Sequence, residues 1–402
     1  MSLSMLQRRA LRSWRIFNIW NSESPEPLHQ HTISLGEGVR QFLPIPWTRL
    51  LVVVAQTNIH LRDWGTHASS VVVVLQAKEL AFVIVRHYWV ESIERDVLIV
   101  ALTTKLNGGI ESTTKLQFFA IDPDKLSTTH LKTITMLYST THLALMSSHL
   151  ALVGHTASGV NYIHSFEVSY LPTLSVIARA TLHIASQQSL STSSFTILDD
   201  RHFLLASQIT LAIYKLSRRA VSPGGSPGPP KPRNPSWMRY YNHYEFLSPP
   251  AISPVSISSV TSCRRISVCC GSSLRSVSMS SDTRPRVQLS RWPLIDPIPV
   301  SLVVSTGVRA GVYCRPQSAQ LFCSSHTFTT FRMDNFTDQH PFATGPWPET
   351  RDSKLRGSFM YESESPSQLK SLHMDEGEGR IMFMLRPSWP EDSATAVVLE
   401  LA

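Results

Sequence analysis

The sequence predicts an all-β, β-propeller-like fold of about six or seven blades, regular or irregular, carrying a disordered Pro/Ser/Arg-rich insert. Three observations predict it. An apolar hairpin recurs five times, four of the copies at blade-sized intervals; its strands are apolar on consecutive positions; and Pro, Ser and Arg crowd into one stretch of the 402 residues.

Taken in order, the chain opens with a basic segment, residues 1–20. On a helical wheel Arg8, Arg9, Arg12 and Arg15 fall on one side of "MSLSMLQRRALRSWRIF", with Leu3, Leu6, Trp14 and Phe17 opposite and no acid before Glu23. That pattern fits a mitochondrial targeting helix. It equally fits the end of a longer parent domain, and "WRIFNIW" alternates as a strand would.

Blades are predicted over 21–216. "TRLLVVVAQTNIHLRDW" reads as a strand Leu50–Ala55, a turn Gln56-Thr57-Asn58 and a strand Ile59–Trp64. The same order of apolar strand, turn and second strand recurs in "ERDVLIVAL" with "KLQFFAID", in "SSHLALVGH" with "NYIHSFEV", in "DDRHFLLAS" with "ITLAIYKL", and in "GEGRIMFML" with "TAVVLELA". From Leu50 through Val97, Leu150 and Phe203 to Ile381 the steps are 47, 53, 53 and 178 residues. Blades of four strands repeat every 40 to 50 residues or so. The last step therefore has room for two more units plus an insert. Consecutive apolar residues mean strands covered on both faces, as the inner strands of a blade are. A two-sheet sandwich would explain the strands but not the period.

Residues 217–292 are the predicted insert. "SRRAVSPGGSPGPPKPRNPSW" cannot continue a helix or an interior strand, because proline removes backbone donors and glycine removes restraint. It reads as a solvated linker. Its P-x-x-P spacings near Lys231 and Arg233 also suit a polyproline ligand, and Ser222, Ser226, Ser248 and Ser253 each precede proline, as proline-directed phosphorylation requires. Residues 256–292, rich in Ser, Arg and Cys, read as a disordered arm or as a misread piece of coding sequence. Blades are expected to close the fold over 293–402.

Two resemblances attach to these motifs. "TRLLVVVAQTNIHLRDW" resembles the inner strands of Trp-Asp-repeat propellers, with Asp63-Trp64 reversing the usual dipeptide and no Gly-His element. "FTILDDRHFLLASQITLAIYKL", "SSHTFTTFRMDNF" and "LHMDEGEGRIMFML" look like the propeller-like region that follows the F-box in basidiomycete fungal F-box proteins, loosely over residues 15–402. The resemblance implies a substrate-recruiting adaptor region; the F-box helices themselves are not recognisable.

Charge excludes a nucleic-acid-binding body. The net +8 is local: Lys215 to Arg291 holds 12 basic residues against Glu245 and Asp282, and the rest has 25 basic and 27 acidic residues. Cys263, Cys269, Cys270, Cys314 and Cys323 form no C-x-x-C pair, as expected of reduced thiols, and the sequon at Asn335 has no secretory signal to go with it. The longest apolar run is broken by Lys78 and Glu79, so no membrane span is expected.

Reactive motifs are missing from the sequence: no G-x-S-x-G, H-E-x-x-H, P-loop or G-x-G-x-x-G occurs, and the serine of "GHTASG" lacks the glycine flanks of a nucleophile elbow. His149, His155 and His164 fall in one predicted hairpin and read as strand-end histidines. Glu362, Glu364, Asp375, Glu376 and Glu378 sit in apparent turns as solvated charge. Trp64, Trp89, Trp292, Trp347 and Trp389 read as core or blade-edge residues. No catalytic, cofactor-binding or metal-binding residue is therefore expected. The expected protein is a monomeric, non-catalytic scaffold in cytoplasm or nucleus, or in mitochondria if the first segment is a targeting helix. It binds a protein partner rather than nucleic acid or membrane. The rival readings are a propeller enzyme with a site at its central channel and the product of a decayed gene.

Overall fold

The computed structural model describes residues 3–20, 26–46, 48–65, 71–76, 82–90, 95–106, 111–136, 139–146, 149–156, 163–170, 175–183, 194–198, 202–206, 210–215, 235–240, 251–252, 256–257, 264–270, 273–279, 287–293, 300–305, 309–314, 323–332, 356–375, 378–387 and 393–401. The chain forms two compact units. One comprises Met1–Arg49 with Tyr244–Ala402, the other Leu50–His243.

The Leu50–His243 unit is a succession of antiparallel sheets. Counting strands along the whole chain, β1 (His29–Gly36) and β2 (Gln41–Pro44) precede this unit. Within it, β3 (Leu50–Val54), β4 (Asn58–Asp63) and β5 (Val71–Gln76) are neighbours in that order, and β5 ends the sheet. β6 (Phe82–Val90), β7 (Arg95–Leu106), β8 (Glu111–Asp122) and β9 (Ser127–Met136) form the next sheet, also in chain order. β10 (Ser139–Met146), β11 (His149–Thr156), β12 (Ile163–Tyr170) and β13 (Ser175–His183) form a third. β14 (Ser194–Ile197), β15 (His202–Ala206), β16 (Thr210–Lys215) and β17 (Trp237–Tyr240) form a fourth.

Every hairpin predicted in this unit is an adjacent antiparallel pair. Leu50 faces Asp63 and Val54 faces Ile59, with Ala55 N–H donating to Asn58 O at 2.9 Å across the turn. β7 pairs with β8, β11 with β12 and β15 with β16. All five residues of β3 and of β15 are buried. Leu98, Ile99 and Val100 of β7 are buried as well, so these inner strands are covered on both faces, which is why their sequences do not alternate.

The other unit holds β18 (Ala251–Ile252), β19 (Ser256–Ile257), β20 (Arg264–Cys270), β21 (Ser273–Met279) and β22 (Val287–Pro293) in one sheet. The segment read as an insert is therefore not unstructured throughout. Residues 216–234 fall outside the described part, whereas the Ser- and Arg-rich stretch supplies the hairpin β20–β21, with Ile266 buried at its centre. Low complexity there is compatible with strand because Val, Ile and Cys recur between the polar residues.

A seven-stranded sheet completes this unit, built from β23 (Val300–Ser305), β24 (Arg309–Cys314), β25 (Cys323–Arg332), β26 (Arg356–Asp375), β27 (Arg380–Pro387), β28 (Ala394–Glu400) and β1. It is two blades sharing one long strand. The first part of β26 pairs with β25, while Ser367 to Asp375 pairs with β27. β1 then adds to β28, His29 opposite Glu400, so strands from the two ends of the sequence share one blade. The described residues form six sheets, and with the seven-stranded one taken as two blade-like halves there are seven such groups, two of them in the interval predicted to hold two.

Helix α1 (Leu3–Trp20) packs on this last blade through its C-terminal end. Ile16 and Trp20 are buried in a core with Phe328, Phe383, Val397 and Leu399, and Ile19 packs against it. Trp14, which the wheel puts opposite the arginines, is 63% exposed, and Leu11 is 57% exposed. Packing is decided by Ile16 and Trp20, which reach the sheet.

Candidate functional site

Among the described residues the polar groups of the Met1–Arg49/Tyr244–Ala402 unit gather at two places, both created by strand pairing. The first lies where β1, β27 and β28 meet. Cross-strand neighbours Arg380 and Glu400 place the guanidinium Nε 3.1 Å from Glu400 Oε1. Arg380 Nη2 lies 3.5 Å from Glu378 Oε2, and Nη1 donates to Thr48 O at 3.1 Å. His31 of β1 brings Nε2 to 3.4 Å from the other oxygen of Glu400. Asp375 Oδ1 accepts from the Glu378 N–H at 3.1 Å, which shapes the turn before β27.

This cluster corrects one sequence expectation. Glu378 is not a solvated turn charge; its side chain is largely buried and paired with Arg380. The spacing that betrays it is visible in "DEGEGR", where an arginine two residues from a glutamate starts an apolar strand. Glu376 lies outside the described residues. Arg380 spends its donors on two carboxylates and a carbonyl, a geometry that fastens strands together.

The second cluster lies where β26 passes from one blade to the next. His326 of β25 is fully buried, with Nε2 3.0 Å from Ser367 Oγ; Ser367 Oγ is 3.2 Å from Ser363 Oγ, which donates to Ser324 O at 3.1 Å. The order that satisfies every hydroxyl runs from His326 Nε2–H to Ser367, to Ser363, to the carbonyl. In that order the imidazole donates to the serine. A nucleophilic dyad needs the opposite polarity, the imidazole accepting the hydroxyl proton. Burial pushes the His326 pKa down to about 4, so the ring is neutral near pH 7. The sequence offered no signal for this histidine, because nothing in "SSHTFTTF" tells which alternate residues face inward.

Register places His155 opposite His164 on β11 and β12, and His149 opposite Tyr170 at the far end of the same pair. Glu362 is exposed on β26. Trp64 is half-buried beside the β3–β4 hairpin, and Trp347 and Trp389 fall outside the described residues. No group of three or more His, Cys, Asp or Glu able to hold a metal occurs among the described residues.

The Leu50–His243 unit presents a different kind of surface. β5, "VVVVLQ", ends its sheet, and Val71 and Val73 are 49% and 54% exposed. β9, the outer strand of the next sheet, contacts β5 and exposes Leu131. Valines on an end strand combine a row of backbone donors and acceptors with an apolar side, the arrangement to which another strand adds.

Comparison with known proteins agrees with the sheet architecture. The N-terminal domain of Chaetomium thermophilum Nup170, solved in complex with Nup53, superposes with a TM-score of 0.51 at 10% identity, over 98% of this chain and 67% of its own. The fold is β-propeller-like. The β-propeller domain of the Trilobed protease from Pyrococcus furiosus superposes with a TM-score of 0.43 at 8% identity, over 92% of this chain and 97% of its own. The WD40 domain of SCAP from fission yeast gives 0.43 at 9% identity, over 90% and 85%. At these identities the likeness is one of fold. No protein-family profile matches the chain, and no curated protein does, so the narrower resemblance to basidiomycete F-box proteins gains no support.

Proposed function

We propose that this protein is a non-catalytic interaction scaffold that receives a protein partner along the outer strand β5. The observation that carries the reading is the run Val71 to Leu75 on a strand that ends its sheet, with Val71 and Val73 turned to solvent. An extended segment of a partner would add its backbone to that edge, and apolar side chains at every second position would meet the valines. The mutual pairing of Arg380, Glu378 and Glu400, and the donor role of His326 toward Ser367, favour strand fastening over chemistry. On the resemblance to F-box proteins, the partner would be a protein recruited for modification, with docking to the ligase left to another chain.

The test replaces Val71 and Val73 by lysine, then compares cross-linked partners of variant and wild type by quantitative mass spectrometry in cells expressing the full chain. Lysine on an edge strand opposes strand addition without touching the core. Loss of a partner captured by wild type supports the reading, and an unchanged partner set sinks it.

A further inference from the structure

Strand β4 lays a polar row beside the valines of β5. Register sets Arg62 opposite Val71 and His60 opposite Val73, and past a one-residue bulge at Val74 it sets Asn58 opposite Gln76. Paired residues share a face, so this row stands on the side of the sheet where Val71 and Val73 are exposed, whereas Ile59 and Leu61 are buried on the other. Burial, and then the positive charge of Arg62, hold the His60 imidazole below its ordinary pKa, so the ring is neutral near pH 7 and the charge of the row is that of Arg62. His60 Nδ1 lies 2.9 Å from Asn58 Oδ1; an amide oxygen only accepts, so the ring donates, and the group Asn58 has left to offer is its NH2.

The row therefore presents donors and positive charge. No acid stands with it on this side of β4 or β5: β5 is uncharged, and Asp63, the only acid of β4, alternates to the other face and accepts the Gly65 N–H at 2.8 Å. β9, which contacts β5, adds the exposed Lys132 and holds no acid of its own. A second copy of β5 brings no carboxylate to such an edge. A segment of opposite charge complements it.

We infer that the segment added to β5 is an acidic one, with an apolar residue beside Val73 and a glutamate or aspartate at the register of Val71, paired with Arg62. The inference rests on strand addition at β5 and names the chemistry of what is added. Neighbouring strands lie about 4.8 Å apart, so the added strand runs about 10 Å from β4, a distance that an arginine and a carboxylate side chain span together. Because Val71 is the first residue of β5, the acid falls at one end of the apolar run.

The experiment is fluorescence anisotropy of the full chain with labelled peptides of about ten residues in which valine and threonine alternate, flanked at both ends by glutamate, by glutamine or by lysine. Charge at both ends serves either direction of addition. Wild type is expected to bind the glutamate peptide about tenfold tighter than the glutamine peptide and the lysine peptide most weakly, with the preference fading at about 0.5 M salt, where screening shortens to a few ångströms. Arg62→Gln is expected to bind the glutamate and glutamine peptides alike. The three peptides also make the comparison on wild type alone, so the test survives a variant that unfolds early. Equal binding of the three overturns the inference and leaves strand addition standing. So does a folded Arg62→Gln protein that keeps the wild-type preference. Wild type that binds none of them overturns strand addition and the inference together. A wild-type dimer in sedimentation velocity that Val71→Lys/Val73→Lys dissolves also overturns the inference, and gives the edge to a second copy.

Discussion

Lowering the pH tests the buried histidine of the blade junction most directly. An unfolded chain protonates His326 as pH falls through its ordinary value of 6.5, whereas burial holds off protonation in the folded chain until about pH 4. Between those values the unfolded state binds more protons, so folding stability falls as pH falls, and below about pH 4 this group adds no further loss. Each tenfold difference in proton affinity is worth about 1.4 kcal/mol. The expected loss from His326 alone is then about 1 kcal/mol at pH 5.5 and about 2 kcal/mol at pH 4.5, relative to pH 7. Carboxylates titrate in the same range, so the assay is urea denaturation of wild type and His326→Gln at all three pH values. Their contributions cancel in the difference between the two proteins. The stability of wild type relative to the variant should shrink by about 2 kcal/mol between pH 7 and pH 4.5. A difference that stays constant to within about 0.5 kcal/mol would mean that the folded chain accepts the charge, and the picture of a sealed junction would be refuted.

Three further outcomes are expected. Trp20→Ala, which empties a fully buried site between α1 and the last blade, should cost about 3 to 5 kcal/mol by urea denaturation; an effect below about 1 kcal/mol would show that the helix is not docked. Arg380→Ala should cost about 3 kcal/mol, because Glu378 and Glu400 would be left partly buried without their cation, and a midpoint equal to wild type would contradict the closed cluster. Gly379→Ala should cost about 1 to 2 kcal/mol in thermal unfolding, since Gly379 sits at φ +66° in the turn whose carbonyl receives Leu401 N–H; a neutral result would mean that the turn relaxes freely.

The sequence by itself determined the sheet class, the recurring hairpin and the number of units missing from its longest interval. These are local properties: a strand buried on both faces must be apolar on consecutive residues, and "LLVVVA", "VLIVAL" and "HFLLA" say so wherever they occur. It also showed that its charge is concentrated in one stretch, although that stretch's composition concealed β20 and β21, because Ser and Arg can alternate with Val and Ile in a strand as readily as they can populate a disordered arm. Tertiary structure alone decided the rest. Pairing of His29 with Glu400 joins residues 371 apart, and no local pattern encodes a partner at that distance. The same long-range packing put His31 beside Glu400, buried His326 against Ser367, and turned Trp14 outward while Trp20 went in. A helical wheel orders residues around an axis, but the sheet that meets the helix selects which of its sides is buried.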